Sequence, residues 1–418
     1  MKKSKKLTTL VGILSLLILA SFCLNSCSFV SLDANARGSV DLMEKVTAYT
    51  DDITMPNDEE SEKFRNSFFS FSTELFKSSL DNEKNSLISP LSVIMALGMT
   101  ANGADGITLE EAEALLGELY VLNKGINGYR YLQNGQLKTA NSIWIKDTPD
   151  FVVKDDFLKT NATYYGADAY LAPFDKQTLK DINNWVKENT DGEIDKILDE
   201  LESDVMMCLI NTVLFDAEWA SPYTDFSKRD FRGTSGEKQV EMMTSTESVY
   251  LETENAKGFM KSYKNGDYSF AALLPDESVS LAEFISSLDG ATLKNLFDGK
   301  QSARVKATIP KFSYDYDISM AEIISEMGWQ SAFCETADFS KISDTPLYIS
   351  DILHKTHIDF NSNGTKAAAA TAVMMKSESA SPAPDQMIRL VFDRPFMFVI
   401  YDNNSGVPVF IGTINEIN

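Results

Sequence analysis

The stretch Val205-Met-Met-Cys-Leu-Ile-Asn-Thr-Val-Leu-Phe215 is an almost unbroken run of apolar residues. A run of this length predicts a strand that is buried on both faces at the centre of a sheet. Other strands are predicted at 139–146, 268–274 and 304–309, and the turn Asn403-Asn-Ser-Gly406 predicts a hairpin near the C-terminus. The chain is therefore expected to build large sheets around the 205–215 strand.

Helices are predicted mainly in the first half of the chain. Apolar residues recur at helical spacing over 62–79, and Ser89 followed by Pro90 is typical of the start of a second, buried helix. The spacing from Thr108 to Glu111 predicts a capping box, and further helices are predicted from 179 to about 190 and over 318–327. Helices first and strands later indicate an α+β fold.

Composition indicates one large acidic domain. The chain has 418 residues, 44% of them hydrophobic, with 25 phenylalanines and a net charge of -23. So many apolar residues can fill a sizeable core, and the acidic surface argues against nucleic-acid binding. No repeat or interior linker divides the sequence, so we expect a single domain over 60–418. We also expect a monomer.

The N-terminus has the layout of an export signal. Four lysines lie among the first six residues, and an apolar run follows over 10–24. Leu24-Asn-Ser-Cys27 resembles the lipobox of bacterial lipoproteins, in which the cysteine is acylated. Cys27 is the preferred acceptor, because the competing Cys23 follows the bulky Phe22.

These features predict a lipoprotein signal peptide over 1–26, and a lipidated N-terminus with a polar tether over 27–59. Plain secretion or an uncleaved anchor are the alternatives. We expect a lipid anchor to hold the protein to a bacterial membrane in the cell envelope, on its periplasmic or surface face.

Four motifs, in order along the chain, resemble the serpin family of serine protease inhibitors: Asn85-Ser-Leu-Ile-Ser-Pro-Leu-Ser92, Asn211-Thr-Val-Leu-Phe-Asp-Ala-Glu-Trp219, Ile352-Leu-His-Lys-Thr-His-Ile-Asp-Phe360 and Phe392-Asp-Arg-Pro-Phe-Met-Phe-Val-Ile400. The resemblance implies an α+β domain with three β-sheets, about nine helices and an exposed reactive-centre loop over about 364–390. It also implies an irreversible inhibitor. A target serine protease cleaves the loop and is trapped as an acyl-enzyme when the freed strand inserts into the main sheet, a recognised case of strand addition.

The loop begins with residues that suit insertion. The resemblance assigns the hinge to Gly364, Thr365 and four alanines, namely Ala367, Ala368, Ala369 and Ala370. An alanine run of this kind is by itself also typical of a short helix or a linker. Alternation along a strand, however, would turn only uncharged side chains inward, and these are Thr365, Ala367, Ala369, Thr371, Val373 and Met375. The charged Lys366 would remain in water.

The position of the reactive bond is less well defined. The family spacing counted forward from Gly364 gives Glu378–Ser379, whereas counting back from Pro395 reaches Pro384 and Asp385. We prefer the forward count, because the sheet sets the inserted length. Glu378 would suit a glutamate-specific protease. Three nearby residues are alternatives. Lys376 would suit a trypsin-like enzyme, and Met375 or Met374 would suit an elastase-like or subtilisin-like enzyme.

The resemblance implies two further sites. One is the shutter, a buried cluster that controls the opening of the main sheet and comprises Ser89, Ser92, Asn211 and His354, with His354 hydrogen-bonded to Asn211. The other is the breach at Trp219. Two positions depart from the family: Ser362 stands where Glu is preferred, and Asp216-Ala217 where Lys-Gly is favoured.

Catalytic function is not predicted. The chain contains two histidines and no Gly-x-Ser-x-Gly motif, phosphate-binding loop or metal-ligand spacing. We expect no enzyme activity, catalytic residue, cofactor or metal. The alternative to inhibition is a non-inhibitory serpin that acts as a binding or structural module, and Ser362 is the feature that favours it.

Overall fold

A computed structural model describes residues 38–44, 46–49, 55–132, 135–149, 151–201, 205–365 and 387–417. Within them lie nine α-helices: α1 (Asp58–Ser78), α2 (Pro90–Ala101), α3 (Gly106–Leu116), α4 (Leu119–Leu132), α5 (Asp155–Tyr165), α6 (Lys176–Asn189), α7 (Leu281–Ser287), α8 (Gly290–Asp298) and α9 (Ala321–Glu326). A short 3-10 helix spans Ser331–Phe333. None of these helices is both long enough and apolar enough to cross a membrane.

The same residues form seventeen strands: β1 (Val40–Asp41), β2 (Leu87–Ile88), β3 (Leu137–Lys146), β4 (Asp168–Ala172), β5 (Met207–Phe215), β6 (Ala217–Glu218), β7 (Asp225–Gly233), β8 (Gly236–Glu252), β9 (Ala256–Ser262), β10 (Tyr268–Pro275), β11 (Gln301–Pro310), β12 (Phe312–Ser319), β13 (Asp351–Phe360), β14 (Gly364–Thr365), β15 (Ile388–Val391), β16 (Phe396–Asp402) and β17 (Val407–Ile414). Helices dominate the first half and strands the second, so the predicted α+β class is confirmed.

The main sheet contains the strand predicted from the apolar run. Its strand order is β1-β4-β3-β5-β13-β14-β6, and β12 pairs with β13 on the same sheet. β5 lies at its centre, because one face packs on the main core while Cys208 and Ile210 on the other face pack under α6. Burial raises the pKa of the Cys208 thiol to about 12, consistent with the predicted role of a small buried apolar residue.

The remaining strands form a second network in the order β15-β11-β8-β9-β10-β16-β17-β2, with β7 on β8. The 17-residue β8 joins its two halves, since its first part pairs with β7 and its last part with β9. Hydrogen bonds within the described residues therefore link the strands into two networks. The family resemblance implies three sheets.

Helix α2 connects the two sheets. All twelve of its residues are buried, and it contacts both β5 and β17. The Ser89 hydroxyl caps it as predicted, accepting a hydrogen bond from the main-chain N–H of Ser92. The cap residues therefore lie directly beneath the main sheet.

Part of the predicted tether is in fact strand. Val40–Asp41 pairs antiparallel with Tyr170 and Leu171 of β4, and the Leu42 amide donates to the Ala169 carbonyl over 2.8 Å. The prediction of a polar tether over 27–59 is therefore wrong for this short stretch, because the edge of β4 offers unpaired main-chain groups. The domain also begins slightly earlier than predicted, at α1, which Asn57 caps.

Two predicted helix boundaries are also wrong. The capping box at Thr108 does not form, because α3 starts earlier and the Thr108 hydroxyl instead accepts from the Asp338 amide over 2.9 Å. The helix predicted over 318–327 begins only at Ala321, since β12 continues to Ser319 and Ile318 pairs with His354. In both places a tertiary contact overrides the local pattern.

Candidate functional site

Two neighbouring strands of the main sheet separate along their length. β5 and β13 run parallel, and residues 208–210 pair with 351–353. Beyond these three pairs, the edges of β5 and β13 that face each other pair with no strand of the described residues, up to the point where β14 pairs with the end of β13. Their opposite edges remain paired, β5 with β3 and β13 with β12. The space between 211–215 and 354–359 is termed the slot.

A cavity occupies the slot. Apolar side chains from both strands and from the second sheet beneath line it, namely Val213, Phe215, Ile358, Ile400 and Phe410. Thr190 and Ile194, which follow α6, line its outer side. The slot therefore has an apolar floor and unpaired strand edges, the two surfaces that an additional strand with small side chains would cover.

The predicted hinge begins inside the mouth of the slot. Thr365 pairs antiparallel with Phe360 of β13 and with Ala217 of β6. Its side chain is 2% exposed, and its hydroxyl lies 2.5 Å from the hydroxyl of Tyr263. Asp216 continues β5 into β6, donating its amide to the Gln136 carbonyl over 2.9 Å. The departure from the family sequence at this point therefore still gives extended backbone.

Trp219 holds the turn between β13 and β14. Its indole N–H donates to the Asn361 carbonyl over 2.9 Å, and its main-chain N–H donates to the Asn363 carbonyl over 2.8 Å. The ring stacks on Tyr263, with centroids 4.2 Å apart. Ser362 contributes its carbonyl oxygen to this turn, accepting from the Tyr223 amide over 2.9 Å. The predicted breach residue thus contacts the segment that leads into the hinge.

A buried ion pair beneath this turn was missed by the sequence analysis. The Lys261 side chain is 2% exposed and its Nζ lies 2.9 Å from Oε1 of Glu247, which is 13% exposed. The ammonium also lies 4.4 Å from the ring centroid of Tyr223 and 5.7 Å from that of Trp219. Sequence pattern gave no signal for it, because Met260 and Lys261 are consecutive and both buried.

The four shutter residues lie where the two strands part. Asn211 and His354 are the first residues beyond the paired part of β5 and β13, and both are buried. The Ser92 hydroxyl donates to the Asn211 side-chain oxygen, and the Asn211 amide donates to Asn141 of β3. The cluster therefore includes Asn141, which the sequence analysis did not identify.

His354 makes a different hydrogen bond from the one predicted. Its Nε2 lies 3.1 Å from the Ser89 main-chain nitrogen, whereas Asn211 bonds Ser92 and Asn141. The expected His354–Asn211 bond is therefore wrong for this conformation. A main-chain amide can only donate, so Nε2 accepts and the ring is neutral. Burial lowers the pKa of His354 from 6.5 to about 4.

This shift predicts a loss of stability in acid. Below pH 6.5 the unfolded chain binds a proton at His354 that the folded chain takes up only near pH 4. The contribution of His354 to the free energy of unfolding is therefore fully present above pH 6.5. It decreases by roughly 3 kcal/mol as the pH falls towards 4. Chemical denaturation across this range should show wild type losing more stability than His354→Gln.

His357→Gln is the matched control, because it removes the other histidine, which is exposed and lies 2.8 Å from Asp315. It should keep the acid sensitivity of the wild type. If the free energy of unfolding fell equally with decreasing pH in the wild type and in His354→Gln, burial of this imidazole would not explain the loss of stability in acid.

Several predicted site residues lie outside the described residues. These are the acylation site Cys27, the hinge alanines Ala367, Ala368, Ala369 and Ala370, and the reactive-bond candidates Met374, Met375, Lys376, Glu378 and Ser379. Gly364 and Thr365 are the hinge residues that the structure describes.

Comparison with known proteins agrees with this architecture. The family described as serpin (serine protease inhibitor) matches residues 66–417. Tengpin, a thermophilic serpin, is 42% identical in its native-state crystal structure, with a TM-score of 0.83 over 91% of this chain and 100% of that one. Its latent-state structure gives 41% identity and a TM-score of 0.76 over 87% and 100%.

A serpin-like protein of Thermococcus kodakarensis is 29% identical over 363 residues, which cover 83% of this chain and 84% of the relative. The chain belongs to the serpin family, whose members are generally serine protease inhibitors. Its described conformation is more similar to the native than to the latent state of tengpin.

Proposed function

We propose that this serpin traps serine proteases irreversibly, as a substrate whose cleaved loop enters the slot, and not as a turnover enzyme. The observation that carries the proposal is the open slot with β14 already at its mouth. β5 and β13 are parallel, so a strand between them must run antiparallel to both to pair as β14 does. Gly364–Thr365 has this direction.

Insertion would satisfy the edges that the slot leaves open. A strand between 211–215 and 354–359 would form hydrogen bonds on both sides, each contributing about 0.5–1.5 kcal/mol net. Because the side chain of Thr365 points inward, it also determines which of the following residues would point inward in an inserted strand. By alternation Ala367 and Ala369 would face the apolar floor of the slot, where small side chains fit.

The register of β14 is compatible with the forward count to the reactive bond. Extended antiparallel from the pair of Thr365 with Phe360, position 374 would face Asp351, the first residue of β13. Ten residues of the loop would thus pair along all of β13 once the three pairs between 351–353 and 208–210 have opened. A bond at Glu378–Ser379 leaves this length available after cleavage, and Lys376, Met375 and Met374 remain the alternatives.

A protease panel tests the proposal. The protein is mixed with glutamate-specific, trypsin-like, elastase-like and subtilisin-like enzymes, and the products are run on a denaturing gel. We expect a complex that survives SDS, with a released C-terminal peptide whose mass identifies the cleaved bond. Cleavage by every enzyme without a complex, and without a gain in thermal stability, would exclude a protease trap.

The second candidate is a non-inhibitory serpin that serves as a binding or structural module. It is favoured by Ser362, which stands where the family prefers Glu and whose main-chain carbonyl bonds Tyr223. The panel separates the two functions, because this candidate predicts cleavage with no trapped enzyme.

We also propose that Cys27 carries a lipid anchor that holds a monomer to a bacterial envelope membrane. The support is the sequence layout of residues 1–27. Expression in a bacterial host should place the wild type in the membrane fraction and Cys27→Ser in the soluble fraction. Equal distribution of the two proteins would contradict acylation at Cys27.

A further inference from the structure

A cavity of about 290 Å³ lies beside the end of β7, apart from the slot. The residues that follow α1, helix α7, the turn between β7 and β8, and the link from β15 to β16 surround it. Its walls are largely apolar and include Leu80, Pro275, Val279, Leu281, Ile285 and Pro395. A concave, mostly apolar surface with a few polar groups is typical of a site for a small molecule.

One polar group in this cavity is the guanidinium of Arg394. It donates to the Asp393 carboxylate over 3.2 Å and to the Pro275 carbonyl over 2.7 Å. An arginine has five N–H donors, so three of them have no partner among the residues that the structure describes. Asp393 is shared with a second arginine, Arg232, at 3.1 Å. Two cations thus share one carboxylate, and the cluster keeps a positive charge in a chain whose net charge is -23.

The second polar group is the side chain of Asn415, which lines the cavity and is 4% exposed. Its amide nitrogen donates to the carbonyls of Asp81 and Lys84, over 3.1 and 2.6 Å. Because both partners can only accept, this atom is the nitrogen and the other is the carbonyl oxygen Oδ1. Oδ1 accepts no hydrogen bond from the described part of the chain. A ligand with an O–H or N–H group would satisfy it.

The end of β7 fixes the spacing of these two groups. The amide of Arg232 donates to the Asp393 carbonyl over 2.8 Å, next to Arg394 in sequence. The amide of Thr234 donates to the Asn415 carbonyl over 3.0 Å. Positions 232 and 234 are two residues apart on an extended chain, which is about 7 Å. A molecule the length of a substituted benzene ring can therefore reach both groups.

We propose that this cavity binds a small organic acid with an apolar body, a carboxylate at one end and a hydroxyl at the other. The carboxylate accepts the N–H groups of Arg394 that Asp393 leaves unused, as a charge-assisted contact. The hydroxyl donates to Oδ1 of Asn415, and the body packs on the apolar walls. This site goes beyond protease trapping and does not depend on it.

Titration calorimetry with 3-(4-hydroxyphenyl)propionate tests the site. We expect a Kd between about 10 µM and 1 mM, as for a small ligand with few contacts. Two analogues each remove one polar contact. The methyl ester, which has no charge, should bind about tenfold more weakly, and 3-phenylpropionate, which has no hydroxyl, about two- to tenfold more weakly.

A blocking variant tests the location. Ala282 is an exposed residue of α7 that lines the cavity, so Ala282→Phe should fill the cavity without disturbing the core, and should weaken binding at least about tenfold. Ser286→Phe is the matched control, because Ser286 is exposed on the same helix and does not line the cavity. It should bind as the wild type does. Equal affinity of the wild type and Ala282→Phe would refute the site, as would no binding at millimolar concentrations of the acid.

Two variants that change affinity in opposite directions test the charge contact. Arg394→Gln should give the acid and its methyl ester the same affinity. Asp393→Asn removes the competing carboxylate, and should tighten binding of the acid about two- to fivefold while leaving that of the ester unchanged. Loss of the fold cannot produce this gain. An unchanged preference for the acid over the ester in these variants would contradict the role of Arg394.

Discussion

Replacing Thr365 with arginine is expected to convert the protein from a protease trap into an ordinary substrate. Thr365 is 2% exposed and its hydroxyl contacts Tyr263, so no water surrounds the side chain once it is in the sheet. Burying an unpaired guanidinium there costs several kcal/mol, enough to slow insertion about a hundredfold. The protease would then hydrolyse its acyl-enzyme first.

The measurement compares the yield of SDS-resistant complex and the melting temperature after loop cleavage. Thr365→Arg should give cleaved protein without complex and without added thermal stability. Thr365→Ser is the matched control, because it keeps the hydroxyl near Tyr263 and adds no bulk, and it should trap as the wild type does. A normal yield of complex from Thr365→Arg would mean that burial of this side chain in the sheet is not needed for trapping.

Replacing Glu247 with alanine is expected to destabilise the folded protein by about 3–5 kcal/mol, because it leaves a buried ammonium without its counter-charge. Lys261 is almost fully buried, and its Nζ lies 2.9 Å from Glu247. The aromatic faces of Tyr223 and Trp219 near this ammonium supply weaker attraction and cannot replace a carboxylate. Chemical denaturation measures the change.

The chain offers a matched control on the same strand. Glu241 of β8 also pairs with a lysine, Lys311, at 2.8 Å, but both side chains are about half exposed, at 43% and 56%. Glu241→Ala should therefore cost less than about 1 kcal/mol. Similar losses for Glu241→Ala and Glu247→Ala would show that burial does not govern the strength of the inner pair.

The hinge and the cap of α2 were predictable because their signals are local. Gly364 and Thr365 are assigned by the family resemblance together with the four alanines that follow Lys366, and Ser89 is recognised from its place before Pro90. The strand at 205–215 was predictable for the same reason, since a continuous apolar run of that length between polar flanks is typical of a strand buried on both faces. Each of these features depends on neighbours along the chain.

Other features depend on residues that are distant along the chain. Asn141 joins the shutter because β3 pairs with β5 in one particular register, with Asn141 facing Asn211. Lys261 and Glu247 meet because β8 and β9 bring them together under the breach. Their individual sequence contexts contain no signal for burial, so one sequence could not predict them.

The sequence by itself determined the family, the α+β class and the phase of the hinge, because these follow from motif order, composition and the two-residue period of a strand. Only the tertiary structure decided where the main sheet opens and which groups face the opening. These properties follow from strand order and register, which depend on pairings between segments far apart in the chain.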